Sequence, residues 1–421
     1  MDDTNANLPP RFRRRRSVKD LDQYQRSDAL SLLYKAAEAA APPNYPPESM
    51  FSPVAVWSWI RNYSAYVFHR KHDFVPCTAA PNYAVYDLTD DENGTANVRV
   101  SLAGDWGTGT VESNSVADQI KRSAPHFTIH LGDVYYVGDP PSINENCLGI
   151  VNPNNNYTPV TWPLGSKGSF ALNGNHEMYA NGIGYFDVFL PHLGLYDGDT
   201  MTGQLTSFFC LQNEDWRIVA LDTGYNSIGF PILSQIPLVN DLPGVGGNCK
   251  LRPELIRWLT EVVKPEQDRR GIIVMSHHQA YSAFETSYRK PEQQLWNAGF
   301  QKPVLWFWGH EHRLAGYDLY GTTDLRSYGR CIGHGGMPVD RGMPTHEPTP
   351  VFYDNRVARN TFGINGFVNL LFVGRNLSSE YIDLDGTKVL REEWTVAEDG
   401  AIRLIRRQKL VDDPNFHASN V

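Results

Sequence analysis

The sequence predicts an α/β fold whose functional site lies at the carboxyl ends of its strands. Short apolar runs rich in β-branched and aromatic residues recur along the 421-residue chain, and helical patterns separate several of them. This alternation is typical of an α/β core. Each run stops at a small polar cluster, and the carboxyl edge of an open α/β sheet is where ligand sites form.

Six predicted strands share this plan of an apolar run followed by polar residues. They are NVRVSLAGD ending at Asp105, HFTIHLGD ending at Asp133, SFALNGNHE with Asn175 and His176, WRIVALDTG with Asp222, GIIVMSHH ending at His277 and His278, and VLWFWGHEH ending at His310 and His312. Helices are predicted over SNSVADQIKRSA and PELIRWLTEVV, where Pro253 suits a first helical position.

The rest of the chain divides by composition. Beyond about residue 340 the pattern is strand-rich with turn signals at Gly374 and Asp385-Gly386, which predicts antiparallel strands that could form a second sheet packed on the first. We predict a flexible basic arm over 1–30, a helical extension over 31–95, the main domain over 96–400 and a C-terminal tail over 401–421.

Composition narrows the classes of function. The net charge of −9 argues against a nucleic-acid-binding body, although the run RFRRRR at 11–16 leaves contact with nucleic acid, an acidic lipid surface or an acidic partner open. Five scattered cysteines without a CxxC pair predict free thiols and a cytoplasmic location. We see no secretion signal and no apolar stretch long enough for a membrane span.

The strand-end side chains predict a metal site. His310 and His312 stand one residue apart, and alternate residues of a strand point to the same side. Collected with Asp105, Asp133 and Asn175, they mix oxygen and imidazole donors, which fits cations such as Fe, Zn or Mn. Two cations about 3.5–4 Å apart can supply a nucleophile and relieve charge on phosphoryl oxygens during phosphate ester cleavage.

Five motifs in order resemble the calcineurin-like metallophosphoesterases in the purple acid phosphatase arrangement. They span residues 104–312 and read Gly104-Asp105-Trp106-Gly107, Gly132-Asp133-Val134-Tyr135-Tyr136, Gly174-Asn175-His176-Glu177, Val274-Met275-Ser276-His277 and Gly309-His310-Glu311-His312. The resemblance implies a two-sheet α/β/β/α sandwich and assigns the main domain to this family. It also implies hydrolysis of a phosphate monoester by attack of a metal-bound hydroxide.

The resemblance implies roles for individual residues. It assigns seven metal ligands, three to a first metal, three to a second and one bridge: Asp105, Tyr136 and His312; Asn175, His277 and His310; and Asp133. His176 resembles the residue that contacts phosphate and protonates the leaving group. Asn175 is a further predicted substrate contact. His278 is another because it adjoins a predicted ligand, although it would point to the opposite face if the strand persisted.

The metal pair and the substrate stay open at this point. Many members of the superfamily begin with Asp-x-His, but Gly107 stands at that histidine position, so Tyr136 would compensate as a tyrosinate on ferric iron. An all-divalent pair is the alternative. A phosphodiesterase acting on a nucleotide, nucleic acid or lipid head group is the second candidate, followed by a non-catalytic scaffold. The sequence does not specify the oligomeric state.

Other residues near the motifs receive lesser roles. Asp222 is predicted to orient a neighbouring group, and His334 is predicted to be structural. Glu311 is expected to face away from the two histidines that flank it. Trp106 and Tyr135 could line the site, as could Trp306 and Trp308, although core packing is favoured for the last two.

Overall fold

The computed structural model describes residues 65–66, 69–89, 97–151, 159–228, 247–358 and 362–421. The basic arm predicted over 1–30, with its arginine run, lies outside the described residues, as does most of the helical pattern between 31 and 70.

Two nine-stranded sheets form the centre of the fold. In chain order the strands are β1 (Val85–Asp87), β2 (Asn97–Ala103), β3 (Phe127–His130), β4 (Gly168–Ala171), β5 (Gly194–Asp197), β6 (Thr200–Met201), β7 (Phe209–Gln212), β8 (Trp216–Ala220), β9 (Gly271–Ser276), β10 (Val304–Trp308), β11 (Leu314–Tyr320), β12 (Ser327–Ile332), β13 (Phe352–Asp354), β14 (Gly366–Val373), β15 (Asn376–Asp383), β16 (Lys388–Val396), β17 (Ile402–Lys409) and β18 (Phe416–Ala418). Sheet one has the order β1-β7-β8-β9-β10-β12-β11-β13-β18, and sheet two has the order β17-β16-β15-β14-β2-β3-β4-β5-β6.

The helices are short and lie between strands of the same sheet or after strand ends. The α-helices are α1 (Val111–Arg122), α2 (Pro140–Asn146), α3 (Asn175–Tyr179), α4 (Pro253–Trp258) and α5 (Arg289–Asn297). Single turns of 3₁₀ helix cover Cys77–Ala79, Pro81–Ala84, Leu190–His192 and Pro265–Gln267, and π-helical turns cover Gly184–Phe189 and Leu259–Val263. Thr110 caps α1 by accepting a hydrogen bond from the Ser113 N–H. Pro253 occupies the first turn of α4, as predicted.

All six predicted strands form, and they fall into two parallel triplets. β2, β3 and β4 lie side by side in sheet two, and β8, β9 and β10 lie side by side in sheet one. Within each triplet the carboxyl ends lie at one edge of the sheet. The polar residues that follow the strands are therefore gathered there by the topology.

Packing makes the sheets the inner layers of a sandwich, which confirms the predicted fold class. Leu102 and Ile129 of sheet two share a buried cluster with Ile273 and Leu305 of sheet one. Outside sheet one, Trp258 of α4 and Leu295 of α5 pack with Val274, Trp306 and Trp308. Outside sheet two, Val116 and Ile120 of α1 pack with Ala103, Trp106 and Val134. The order of layers is helix, sheet, sheet, helix.

The strand-rich C-terminal region extends an existing sheet instead of forming a separate one. β14 pairs antiparallel with β2, and hairpins continue outward through β15, β16 and β17. The turns at Gly374 and Gly386 have φ of 53° and 89°, a conformation that glycine adopts without steric cost. These two positions are the turns predicted from the sequence.

Both ends of the described chain depart from the predicted boundaries. Residues 401–421, predicted as a tail, contribute β17 to sheet two and β18 to sheet one, because pairing satisfies their backbone groups and buries Ile402 and Phe416. Within 31–95, β1 pairs parallel with β7. Most of the helical pattern of that extension lies outside the described residues.

The five cysteines all belong to the described part of the chain, and each is a free thiol, as predicted. Among the helices that the structure describes, none has the length and apolar character needed to cross a bilayer.

Candidate metal centre

Three of the predicted site residues adopt left-handed backbone conformations directly after their strands. Asp105, Asp133 and His310 have φ of 56°, 69° and 66°. This conformation is uncommon for residues other than glycine, and strain of this kind concentrates at functional sites. The sharp turns direct the side chains toward one point between the two sheets.

Gly174 permits a close approach between the second and third motifs. A Cβ at this position would lie 2.1 Å from Asp133 Oδ1, so the backbone there excludes any side chain. The N–H of His176 donates to the same Asp133 oxygen over 3.0 Å. Asp133 is thereby held by the first turn of α3.

One group of polar atoms joins sheet two to the last motif. The Tyr135 hydroxyl lies 2.9 Å from Asp105 Oδ1, 2.8 Å from His312 Nε2 and 3.3 Å from Asp133 Oδ2. His312 Nε2 is 3.6 Å from Asp105 Oδ1. We call these four residues the first donor group.

A second group lies beside it. Asn175 Oδ1 is 3.1 Å from His277 Nε2 and 3.0 Å from His310 Nδ1, and Asp133 Oδ2 is 3.1 Å from His277 Nε2. We call Asn175, His277, His310 and Asp133 the second donor group. His310 and His312 therefore lie in different groups although one residue separates them.

Asp133 is common to both groups through the same oxygen. Its Oδ2 lies between His277 Nε2 and the Tyr135 hydroxyl, and Asp105, Asp133 and His277 each offer a ligand atom within 4.8 Å of the others. Two ligand atoms bound at right angles to one transition-metal ion lie about 3 Å apart. The spacings within each group match that value, so these residues fit a pair of cations.

Burial and neighbouring charges shift the pKa values of two side chains in the centre. Asp105, Asp133, His277 and His312 are fully buried. Burial alone would lower the pKa of His277, but the Asp133 carboxylate raises it to about 10. Burial alone would raise the pKa of Asp133, but the His277 and His176 charges lower it well below its usual value. Asp133 is therefore an anion in contact with imidazoles on two sides.

Glu177 lies behind Asp133 and takes a different protonation state. Its Oε2 accepts hydrogen bonds from the N–H groups of Asp133 (3.2 Å) and Gly174 (2.9 Å). Burial, followed by the charge of Asp133, raises the pKa of Glu177 to about 8. The side chain links the turns of the second and third motifs without adding a full negative charge at neutral pH.

His176 sits in the first turn of α3 with its ring against Tyr135, at 4.2 Å between ring centroids. Its Nδ1 contacts the Tyr136 carbonyl oxygen, and because a carbonyl only accepts, Nδ1 carries a proton. Its Nε2 is 3.8 Å from Asp133 Oδ2. The nitrogen that can exchange a proton therefore lies on the side of the two donor groups.

His278 lies beside the second donor group and not on the opposite face. The strand ends at Ser276, so the alternation of side chains no longer applies at His278. Its ring centroid is 4.7 Å from that of His277 and 4.5 Å from that of His310, and its Nδ1 bonds the Thr223 hydroxyl at 3.0 Å. The ring of Tyr288 covers His278 at 5.1 Å between centroids.

The residues given lesser roles mostly lie where the sequence suggested. Glu311 turns away from the centre and accepts from Ser282 Oγ (2.6 Å) and Trp308 Nε1 (3.3 Å). Asp222 accepts from Asn173 Nδ2 at 3.2 Å, and burial raises its pKa to about 6. Burial lowers the pKa of His334 to about 4, which keeps that side chain neutral.

The tyrosine contacts differ from the motif-based prediction. The hydroxyl within the first donor group belongs to Tyr135, whereas the resemblance implied Tyr136, whose role as a ligand stays a prediction. Tyr136 meets His176 through its backbone carbonyl. Sequence reasoning also missed Glu177 and Thr223. Their signal was proximity to predicted ligands, which by itself does not specify a contact.

A sequence model of the calcineurin-like phosphoesterases matches residues 98–314, just over half of the chain. The chain belongs to this family. The matched segment runs from β2 into β11 and contains all five motifs and both donor groups. Its activity is therefore metal-dependent hydrolysis of phosphoric esters, and the enzyme class is phosphoric ester hydrolase.

Several solved structures resemble this phosphoesterase. GAP50, described as the anchor in the inner membrane complex of Plasmodium, is 15% identical with a TM-score of 0.45, over 72% of this chain and 90% of that one. PhoD is 12% identical with a TM-score of 0.45, over 80% and 76% of the two chains. A dimetal phosphatase from Danio rerio is 12% identical with a TM-score of 0.42, over 72% and 100%. No curated protein sequence gave a significant match.

Proposed function

We propose that this phosphoesterase hydrolyses phosphate monoesters of small molecules with a pair of metal ions in a purple acid phosphatase-like centre. The observation that carries the proposal is the single Asp133 oxygen shared by two donor groups. A carboxylate in that position suits a bridge between two cations. Fe, Zn and Mn all match the mixture of oxygen and imidazole donors.

The proposed ligands divide between the two groups. Asp105, Tyr136 and His312 would hold a first ion, Asn175, His277 and His310 a second, and Asp133 both. When bound, such ions polarise phosphoryl oxygens and make water a nucleophile at neutral pH. The protein contributes rigid turns, since the Asp105 carboxylate also accepts the His310 N–H at 2.8 Å through its other oxygen.

We assign the leaving-group proton to His176. The Tyr136 carbonyl holds the proton on Nδ1, so Nε2 is the atom that delivers a proton to the departing oxygen. Nε2 lies 3.8 Å from Asp133 Oδ2, on the side of the two donor groups, which supports this role. Asn175 and His278, which border the second donor group, are proposed to contact the phosphate.

The test compares ester types on one preparation. Purified protein is analysed for metal content and assayed with p-nitrophenyl phosphate and bis-p-nitrophenyl phosphate, before and after metal removal. We expect two metals per chain, a higher kcat/KM on the monoester, and loss of activity that metal restores. Higher kcat/KM on the diester would assign a phosphodiesterase instead. Two bound metals with neither ester cleaved would overturn the proposal.

We propose a cytoplasmic location on the basis of the five free cysteines. Cell fractionation tests this, and recovery of the protein in a secreted fraction would contradict it.

A further inference from the structure

Thr223 lies shortly after β8, outside all five motifs, and its side chain is buried against His278. The backbone N–H of His278 donates to the Thr223 hydroxyl oxygen over 3.1 Å. The Nδ1 atom of the His278 ring lies 3.0 Å from the same oxygen. One hydroxyl therefore binds both the backbone and the ring of His278.

These two contacts place the proton of the Thr223 hydroxyl. The backbone N–H of His278 only donates, so the hydroxyl accepts there. Within the described part of the chain the hydroxyl has no hydrogen-bond partner besides His278, and a buried O–H needs an acceptor. The hydroxyl therefore donates to Nδ1, and the neutral ring of His278 carries its proton on Nε2.

Other contacts hold His278 from its remaining sides. Its carbonyl accepts from the Ser276 hydroxyl at 2.8 Å, and Ser276 Oγ accepts in turn from Trp306 Nε1 at 2.8 Å. The ring is packed against that of His310 and covered by Tyr288. Because the residue is 2% exposed, its ring has little room to turn.

Thr223 is itself fixed by the residues on either side of it along the chain. The Asp222 carboxylate accepts from the Tyr225 N–H at 2.7 Å and from Asn173 Nδ2 at 3.2 Å. A Cβ at Gly224 would lie 2.4 Å from the Asn173 carbonyl oxygen, so the loop packs closely against the chain that enters the third motif. The hydroxyl therefore projects from a rigid turn.

The position of the proton separates His278 from its neighbours. His277, His278 and His310 each offer a ring nitrogen within 4.8 Å of the others. A histidine binds a metal through the lone pair of a neutral ring nitrogen, whereas a phosphate oxygen accepts a proton. With Nδ1 bonded to Thr223 and a proton on Nε2, His278 offers a hydrogen-bond donor beside the second donor group.

We infer that Thr223 is a positioning residue for phosphate binding, which orients the His278 ring and keeps its proton on Nε2. The inference rests on the proposed function, because it assumes that His278 contacts the phosphate of the substrate. Thr223 acts through the ring of His278 and does not itself touch the substrate.

The test compares variants of Thr223 in two backgrounds of the metal-loaded full chain, wild type and His278→Ala. Thr223→Val removes the hydroxyl with little change in shape, and Thr223→Ser keeps it. Thr128→Val is the matched control, since Thr128 is a buried threonine of β3 whose hydroxyl bonds that of Ser169 at 2.8 Å. KM and kcat are measured with p-nitrophenyl phosphate, the inhibition constant with inorganic phosphate, and the metal content of each variant.

We expect Thr223→Val to raise both KM and the inhibition constant of phosphate by about tenfold, because a hydrogen bond to a charged group is weakened. The effect on kcat should be smaller, and metal content should stay at the wild-type level. Thr223→Ser and Thr128→Val should match wild type. In the His278→Ala background Thr223→Val should have no further effect, because the ring through which it acts is gone.

Each other result has a definite consequence. Unchanged constants in Thr223→Val, or an equal effect in both backgrounds, would overturn the inference and leave the proposed function intact. The same holds if Thr223→Ser loses as much as Thr223→Val. A metal-loaded wild type that does not cleave p-nitrophenyl phosphate overturns the proposed function and the inference with it. If Thr223→Val does not fold, Thr223→Ala takes its place with the same expectations.

Discussion

Two buried clusters of charged side chains in this protein follow opposite rules. One is the candidate metal centre. The other joins the sheets through Glu392 of β16, whose two oxygens accept from Arg330 Nη2 and Nε (both 2.7 Å), Arg407 Nε (2.8 Å) and Tyr381 (2.8 Å). We call this second set the arginine cluster. Glu392 and Arg330 are both fully buried.

In the arginine cluster both oxygens of the carboxylate accept hydrogen bonds, and its one negative charge lies between two guanidiniums. In the metal centre the carboxylates of Asp105 and Asp133 converge on one phenol and on imidazoles. A buried charge is costly unless it is paired and hydrogen-bonded. The difference teaches that the Glu392 carboxylate is satisfied by donors of the protein itself, whereas the carboxylates of the metal centre are arranged for a metal.

The largest difference between the two clusters is expected when the shared charge of the metal centre is removed. Asp133→Asn should lose at least one metal equivalent and nearly all turnover, because both donor groups use the same oxygen. Metal analysis and steady-state assays measure this. Asp222→Asn is the matched control, a buried carboxylate near the same edge but outside both groups, and it should keep two metals. Two metals and a near-normal rate in Asp133→Asn would refute the bridge.

The second-largest effect is expected for His176 and distinguishes a proton donor from a metal ligand. His176→Ala should lower kcat by about 10²–10⁴-fold while both metals stay bound, since its Nε2 faces the centre without belonging to a donor group. The loss should be smaller for p-nitrophenyl phosphate than for an alkyl phosphate, whose oxygen needs protonation more. Equal losses on both esters would indicate phosphate positioning, and no loss would make His176 structural.

A substitution in the arginine cluster should instead lower the unfolding free energy of the protein. Glu392→Gln leaves two buried guanidiniums without their counter-charge and should cost about 3–5 kcal/mol of unfolding free energy, measured by urea denaturation. Metal content should be unchanged. Glu380→Gln is the control. The side chains of its partners Lys388 and Arg391 are 48% and 39% exposed, so each of these ion pairs should contribute only about 0–1 kcal/mol. Similar losses of unfolding free energy in both variants would contradict the expected difference between buried and exposed ion pairs.

The smallest expected effect is the pH dependence of that cluster. Burial alone would raise the pKa of Glu392, but the Arg330 and Arg407 guanidiniums lower it below its usual value. A carboxyl with a lowered pKa in the folded state stabilises above its unfolded pKa, about 4.3, and loses that contribution as pH falls through the folded value. The stability gap between wild type and Glu392→Gln should therefore shrink in acid. A gap that is constant from neutral pH to about pH 3 would contradict this sign.

Most of the fold could be predicted because its information is local. An apolar run such as VLWFW predicts a buried strand by composition and length, and β10 forms there with Trp306 and Trp308 buried. The C-terminal strands β17 and β18 were missed as a tail, since their short runs become strands only through pairing with β16 and β13. Pairing partners distant in the sequence leave no periodic signal.

The sequence by itself determined which donors the centre contains and in which order they follow the strands, because motif residues and strand ends are properties of short segments. Only the tertiary structure decided which atoms meet. Asp105 and His312 lie 3.6 Å apart through the packing of two sheets, and the turn after Asp133 directs the Tyr135 hydroxyl toward Asp105. His278 likewise joins the centre because its strand has already ended. Side-chain directions in such turns follow from backbone dihedrals and long-range contacts, which spacing along the chain does not encode.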